Sequence, residues 1–266
     1  MPRVVGRRRT PLCGALLALA LTPALLVLPR GASVVANATA DAAHPTVLEK
    51  VVVGHSVDGR KITAYHLGDP GTKKVMLISV MHGNEPAPRQ ILMNLVDGAP
   101  VHGIDLWLVP VYNPDGLARH TRRNAHDVDL NRNYPYKWIR QGGNYNSGPK
   151  PASEPETRAM MRFLTKVNPA YVLSFHQPLH AVDVTERPAF SKKVARALGL
   201  PMSRLRCGSS CHGTMTMWFN HMFKGFALTV EYGAAPPRSK LRAAPGKLLR
   251  LFGAWRGGSH GTSSSS

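Results

Sequence analysis

In the stretch HGNEP, residues 82–86, His82 and Glu85 stand three positions apart, a spacing at which an imidazole and a carboxylate can converge on one cation. With twelve histidines in 266 residues, one such pair is close to what chance supplies. Its place in the chain carries more. His82 and Glu85 follow the apolar run 75–80, His176 follows the run 170–175, and Glu231 follows the run 225–230. Each run reads as a strand, and each ends in a group that can bind a metal or move a proton. A catalytic zinc takes three nitrogen or oxygen ligands and keeps a fourth position open. His82, Glu85 and His176 would supply two imidazoles and one carboxylate. Glu231 is the candidate base, because a carboxylate at the rim of an apolar core has its pKa raised toward the range useful for proton transfer. The plainer alternative pairs it with one of the many arginines.

The stretch 112–135 is long, polar and rich in Asn, Asp, Pro and Arg, and it is expected to be a functional loop. Arg122, Arg123 and Arg132 bring planar, permanently charged forks that match carboxylates and oxyanions. One could face a developing oxyanion and another, with an Asn amide, a substrate carboxylate. Residue type alone does not assign these roles. Asp183 lies just past His176 and is either an ordinary loop acid or a partner for an amino group.

The elements that must carry these groups alternate. A hairpin turning at VDGR (57–60) precedes strands at 73–80 and 104–111, with a helix at 87–98 between them. A helix at 151–167 is expected to open with a capping box between Ser153 and Glu156. A strand at 170–175, a helix at 187–200 and a strand at 225–232 follow. Apolar strands without alternation suit positions buried on both faces. The fold class is therefore α/β, a mixed, largely parallel sheet between helices, with ligands gathered at the carboxyl ends of the strands.

The first 42 residues combine Arg3, Arg7, Arg8 and Arg9 with the apolar run 13–28 and A-x-A steps, the pattern of a secretory signal peptide. The expected organisation is a signal at 1–42, a catalytic domain at 43–254 and a low-complexity, disordered tail at 255–266. The product is then secreted or cell-wall associated, or membrane-anchored if the signal is retained. Beyond residue 42 remain 29 basic and 14 acidic residues, a surplus that favours an anionic wall or an acidic substrate. Export makes nucleic acid an unexpected partner. Cys207 and Cys211, in CGSSC, suit a local disulfide, and a zinc site with His212 would lack further ligands.

Six motifs in order, HGNEP (82–86), NPDG (113–116), RRNAHDVDLNRNYP (122–135), PASEPE (151–156), SFHQP (174–178) and LTVEY (228–232), resemble the zinc carboxypeptidase (M14) family, and most of all its compact bacterial branch that includes murein-peptide amidases. The resemblance spans about residues 50–235. It implies an eight-stranded mixed sheet, one zinc ion per chain held by His82, Glu85 and His176, and Glu231 as general base. It also implies Arg122 at the scissile carbonyl, and Asn131 with Arg132 on the substrate carboxylate. The implied activity is hydrolysis of a peptide bond next to a residue with a free carboxylate, plausibly in murein peptides. Many members carry a mobile tyrosine upstream of the catalytic glutamate, but no tyrosine lies between Tyr171 and Tyr232 here. The family's side-chain pocket comes largely from the segment matching 207–230, where Met215, Met217, Trp218 and Phe219 could serve as pocket wall or as core. Two alternatives stand beside this activity. One is an N-acyl-amino-acid deacylase of the aspartoacylase type, against which NPDG, SEPE and export argue. The other is a non-catalytic wall-binding domain.

Overall fold

The computed structural model describes residues 46–184, 187–205 and 211–257. The expected signal segment and Cys207 lie outside them. Among the described residues no helix is long and apolar enough to cross a membrane.

Strands β1 (Glu49–His55) and β2 (Lys61–Gly68) form the expected antiparallel hairpin. Gly59 sits in its turn at φ 76°, a conformation that favours glycine. Then come β3 (Lys74–Ile78), helix α1 (Arg89–Val96), β4 (Val101–His102) and β5 (Asp105–Val109). Helices α2 (Pro114–Arg119) and α3 (Pro155–Val167) precede β6 (Tyr171–His176) and β7 (Leu179–Asp183). The chain continues through α4 (Pro188–Leu198), β8 (Met202–Ser203), α5 (Met215–Met222), β9 (Phe226–Gly233), α6 (Arg238–Phe252) and β10 (Trp255–Arg256).

Eight strands make one mixed sheet in the order β1-β2-β5-β3-β6-β9-β7-β8, and β10 pairs with β4 in a second, two-stranded sheet. The four central strands, β5-β3-β6-β9, run parallel. Their mostly apolar sequences, broken only by Ser174 in β6 and Thr229 in β9 before the terminal site residues, follow from burial on both faces. Val75 and Leu77 of β3 pack with α1, α4 and α6, whereas Met76 and Ile78 pack with α3 and α5. Each such fully buried Leu or Ile side chain contributes on the order of 1.5–3 kcal/mol.

Three expectations change and one helix is added. The long polar loop contains α2, because Asn113 caps it by accepting from Gly116 N at 2.8 Å and Pro114 occupies its first turn. The capping box at α3 is absent. The helix starts at Pro155, and the Ser153 hydroxyl donates to Glu154 Oε1 at 2.6 Å instead. Helix α6 had no clear signal because Pro245 and Gly246 interrupt it; here Pro245 is buried within the helix. The tail cannot begin at 255, because Trp255 and Arg256 pair with His102 and Val101.

Candidate active site

Three strand ends meet. After β3 the chain turns through Val80, whose φ of 53° is costly for a β-branched residue. Backbone hydrogen bonds brace this turn: Tyr112 N donates to Ser79 O at 3.1 Å and Asn113 N to Val80 O at 2.9 Å. His82 and Glu85 are thereby brought beside His176, the last residue of β6. A Cβ on Gly83 would lie 1.8 Å from the Gly116 carbonyl carbon, so HGNEP packs directly onto NPDG.

His82, Glu85 and His176 are buried, and each offers a ligand atom within 4.8 Å of the others. His82 Nδ1 is 2.8 Å from Glu85 Oε1, His176 Nδ1 is 3.0 Å from Glu85 Oε2, and the two Nδ1 atoms are 3.2 Å apart. The outer ring nitrogens are engaged elsewhere: His82 Nε2 with Asp129 Oδ1 at 3.1 Å, and His176 Nε2 with Ser174 Oγ at 2.9 Å. Such outer contacts orient imidazoles whose inner nitrogens face a metal. Burial pushes the His82 ring toward neutrality, but Glu85 and Asp129 outweigh it and raise its pKa. Burial alone would push Glu85 and Asp129 up, yet neighbouring His82 above all holds both well below the usual carboxylate range. A buried anionic pocket lined by two converging ring nitrogens fits a divalent cation.

Glu231 stands opposite His176 in the β6–β9 register, buried, with Oε2 accepting from Leu179 N at 3.3 Å. Burial raises its pKa, with Glu85 adding to the rise and His176 opposing it.

A cavity of about 550 Å³ opens over this cluster. Its lining includes His82, His176, Glu231, Arg122, Asn131, Arg132 and Asp183. Glu85, against both His82 and His176, joins them, so the expected metal ligands, base, Arg122, Asn131, Arg132 and Asp183 come together here. Arg122 reaches Asp129 and, at 3.3 Å, Glu85 Oε1. Asn131 Oδ1 accepts from Met215 N at 3.1 Å, which leaves its NH2 as the donor end. Arg132 is 3% exposed, and its Nε has no hydrogen-bond partner. Burial lowers its pKa despite the support of Asp129, and the charge of Arg122 lowers it further. Asp183 Oδ1 accepts from Leu205 N at 3.3 Å. Arg123 pairs instead with Asp127 and the Gly143 carbonyl. Of the four apolar candidates in the segment before Glu231, Met217 lines the cavity, while Met215, Trp218 and Phe219 are core. Cys211 is disulfide-bonded and also lines the cavity.

Asp129, Ser174, Gln177 and Tyr145 were not singled out from the sequence. Gln177 clamps three segments, accepting from Ala87 N and donating to the carbonyls of Gly233 and Ala234. Ser174 had one available signal, since two residues before His176 is the same face of a strand.

A His-Glu-His cluster with a buried carboxylate opposite, at the rim of a mixed parallel sheet, defines a metallohydrolase type of site. The zinc carboxypeptidase family profile matches residues 36–181, more than half of the chain, and the chain belongs to that family. It is 36% identical over 104 residues to murein peptide amidase A of Escherichia coli K12, covering 34% of this chain and 43% of that protein. It is 27% identical over 163 residues to the Vibrio campbellii murein peptide amidase A, covering 56% of this chain and 66% of the relative. The chain therefore aligns with under half to about two thirds of these relatives' lengths. The fold is shared with the crystal structure of a murein-tripeptide amidase from Escherichia coli O157, with a TM-score of 0.62 at 24% identity over 77% of this chain and 90% of that one. It is likewise shared with carboxypeptidase A of Helicoverpa armigera, with a TM-score of 0.65 at 19% identity over 78% and 68%.

Proposed function

We propose that the chain is a zinc metallocarboxypeptidase that hydrolyses the amide bond preceding a residue with a free carboxylate, in murein peptides. The observation that carries this reading is the convergence in one cavity of His82, Glu85 and His176, of Glu231 opposite them, and of the Asn131–Arg132 pair. When bound, zinc supplies a Lewis acid beside the scissile carbonyl and lowers the pKa of water at its open position. His82, Glu85 and His176 are the residues that would hold it.

Asn131 and Arg132 take the terminal carboxylate and fix the register of the peptide in the cavity. Glu231, held through Oε2 by Leu179 N, takes a proton from the attacking water and returns it to the leaving nitrogen as the amide bond breaks. Its raised pKa suits both transfers. Arg122 offsets the negative charge that develops on the carbonyl oxygen. Asp183 is proposed to bind an amino group on the terminal diamino acid. Likeness to murein amidases, together with an acid on the cavity wall, supports that substrate.

Secretion is part of the proposal, and the charge distribution fits wall association. Helices α4 and α6, packed together, expose Lys192, Lys193, Arg196, Arg238, Arg242 and Arg250, and neither helix contains an acidic residue. This face is proposed to lie against anionic wall polymer.

The test is mass spectrometry of murein peptides and N-acyl amino acids incubated with the zinc-loaded protein, with and without chelator. Chelator-sensitive release of the terminal residue from the tripeptide is expected. Turnover of acyl-amino acids alone would replace the reading with the deacylase. No turnover of either would leave a wall-binding domain.

A further inference from the structure

The two cavity arginines share one aromatic face. The guanidinium carbon of Arg122 lies 5.5 Å from the Tyr145 ring centroid, and that of Arg132 lies 4.9 Å from it. Both fall within the roughly 6 Å over which a ring face attracts a cation. Tyr145 lines the same cavity and is 40% exposed.

Two guanidinium groups at one site repel each other, and the carboxylates do not balance them equally. Asp129 Oδ2 takes both Nε and Nη2 of Arg122. Arg132 has no carboxylate within ion-pair distance among the described residues. Its Nη1 donates to the Asn131 carbonyl at 2.7 Å, and its buried Nε has no partner. Asp129 supports its charge from beyond ion-pair distance, and the Tyr145 ring lies directly against it.

The turn carrying Tyr145 (Gly143–Tyr145) is tied to the arginine loop. Asp129 N donates to Asn146 O at 2.8 Å, Asn146 Nδ2 donates to Asp127 O at 2.7 Å, and Arg123 Nη1 reaches the Gly143 carbonyl. The ring is therefore held at a set place relative to both guanidinium groups.

We propose that Tyr145 is a positioning residue for carboxylate recognition, its ring serving as the shared platform that holds Arg122 and Arg132 side by side in the cavity. The ring face does this work and the hydroxyl does not. The proposal rests on the peptidase reading above and names a residue through which Arg132 is positioned to prefer a free carboxylate over an amide.

The experiment compares the zinc-loaded full chain with Tyr145→Phe and Tyr145→Leu. It measures kcat and KM on a murein tripeptide and on its C-terminal amide, and calorimetric binding of the released amino acid and its α-carboxamide. Loss of the ring is expected to raise KM for the free carboxylate about tenfold and leave KM for the amide unchanged, as loss of one cation–π contact implies. Tyr145→Phe should stay within about twofold of wild type for the same reason. Zinc content and melting temperature should not change. Unaltered carboxylate preference in Tyr145→Leu would overturn the proposal. So would equal damage in both variants, which would place the hydroxyl on the substrate. Should the wild type turn over no peptide, the peptidase reading fails, and calorimetry still decides on Tyr145. A wild type that binds acid and carboxamide equally overturns the proposal.

Discussion

Arg122 meets Asp129 through two nitrogens on a single oxygen, Nε at 3.0 Å and Nη2 at 2.8 Å from Oδ2. The other oxygen of Asp129 serves His82 Nε2 at 3.1 Å and Asn131 N at 2.9 Å. One fully buried carboxylate thus orients a candidate metal ligand, a candidate oxyanion arginine and the turn that carries Asn131 and Arg132. Asp129→Asn places an NH2 against these donors and removes the charge that balances them. Zinc affinity is expected to fall about 10–100-fold, read by competition with a chromophoric chelator. Turnover at saturating zinc should also fall, since Arg122 loses its anchor.

Gly83→Ala tests the interlock between the metal-ligand turn and α2. The new Cβ would sit within 2.2 Å of the Gly116 carbonyl carbon and oxygen and the Leu117 nitrogen, all of them backbone atoms. Backbone cannot yield as a flexible side chain can. A destabilisation of more than about 3 kcal/mol is expected, or loss of soluble protein on expression. Wild-type urea midpoint and zinc content in this variant would contradict the packing described.

Asp115 links stability to pH away from the metal cluster. It is fully buried, accepting from Ser56 Oγ at 2.7 Å, Asp58 N at 3.0 Å and Arg60 Nη1 at 2.6 Å. Burial pushes its pKa up, but these bonds outweigh it and leave the pKa below the usual Asp value. Its contribution is therefore present above the unfolded-state pKa of about 3.9 and is lost as pH falls through the lower folded value. Asp115→Asn should cost about 1–3 kcal/mol at pH 7, with the gap to wild type narrowing below about pH 4. Urea unfolding at pH 7 and pH 3 reads both.

Asp183→Ala tests the substrate. Loss of a charge-assisted contact should raise KM about tenfold for a tripeptide ending in a diamino acid. The same peptide with its side-chain amine acetylated should be indifferent to the substitution. Equal KM changes on the two peptides would make Asp183 a structural acid, through its bond to Leu205 N.

The central strands were legible because burial on both faces leaves unbroken apolar runs such as 75–78, and a strand that ends in His or Glu exposes its chemistry at that end. Helix α6 was not legible, because Pro245 breaks the local pattern and its apolar face is defined by packing on α1 and α4. β7 and β8 are short and lie toward one edge, so their pairing with β9 and with each other depends on partners distant in sequence. Within the site, His82, Glu85, His176 and Glu231 announced themselves by residue type and position. Asp129 and Tyr145 did not, since an acid in a loop rich in Asn, Asp and Arg and a tyrosine two residues past a glycine pair have no local signature. Their roles exist only once the loop is folded against the cavity.

The most direct test of the site as a whole is zinc content and tripeptide turnover measured together in Glu231→Gln. The glutamine can still accept from Leu179 N, and the His-Glu-His cluster is untouched. The variant is expected to hold one zinc ion per chain while turnover falls by about 10²–10⁴-fold, the range for a lost general base. Zinc-loaded Glu231→Gln working at the wild-type rate would contradict the assignment of Glu231 and the account of the site built around it.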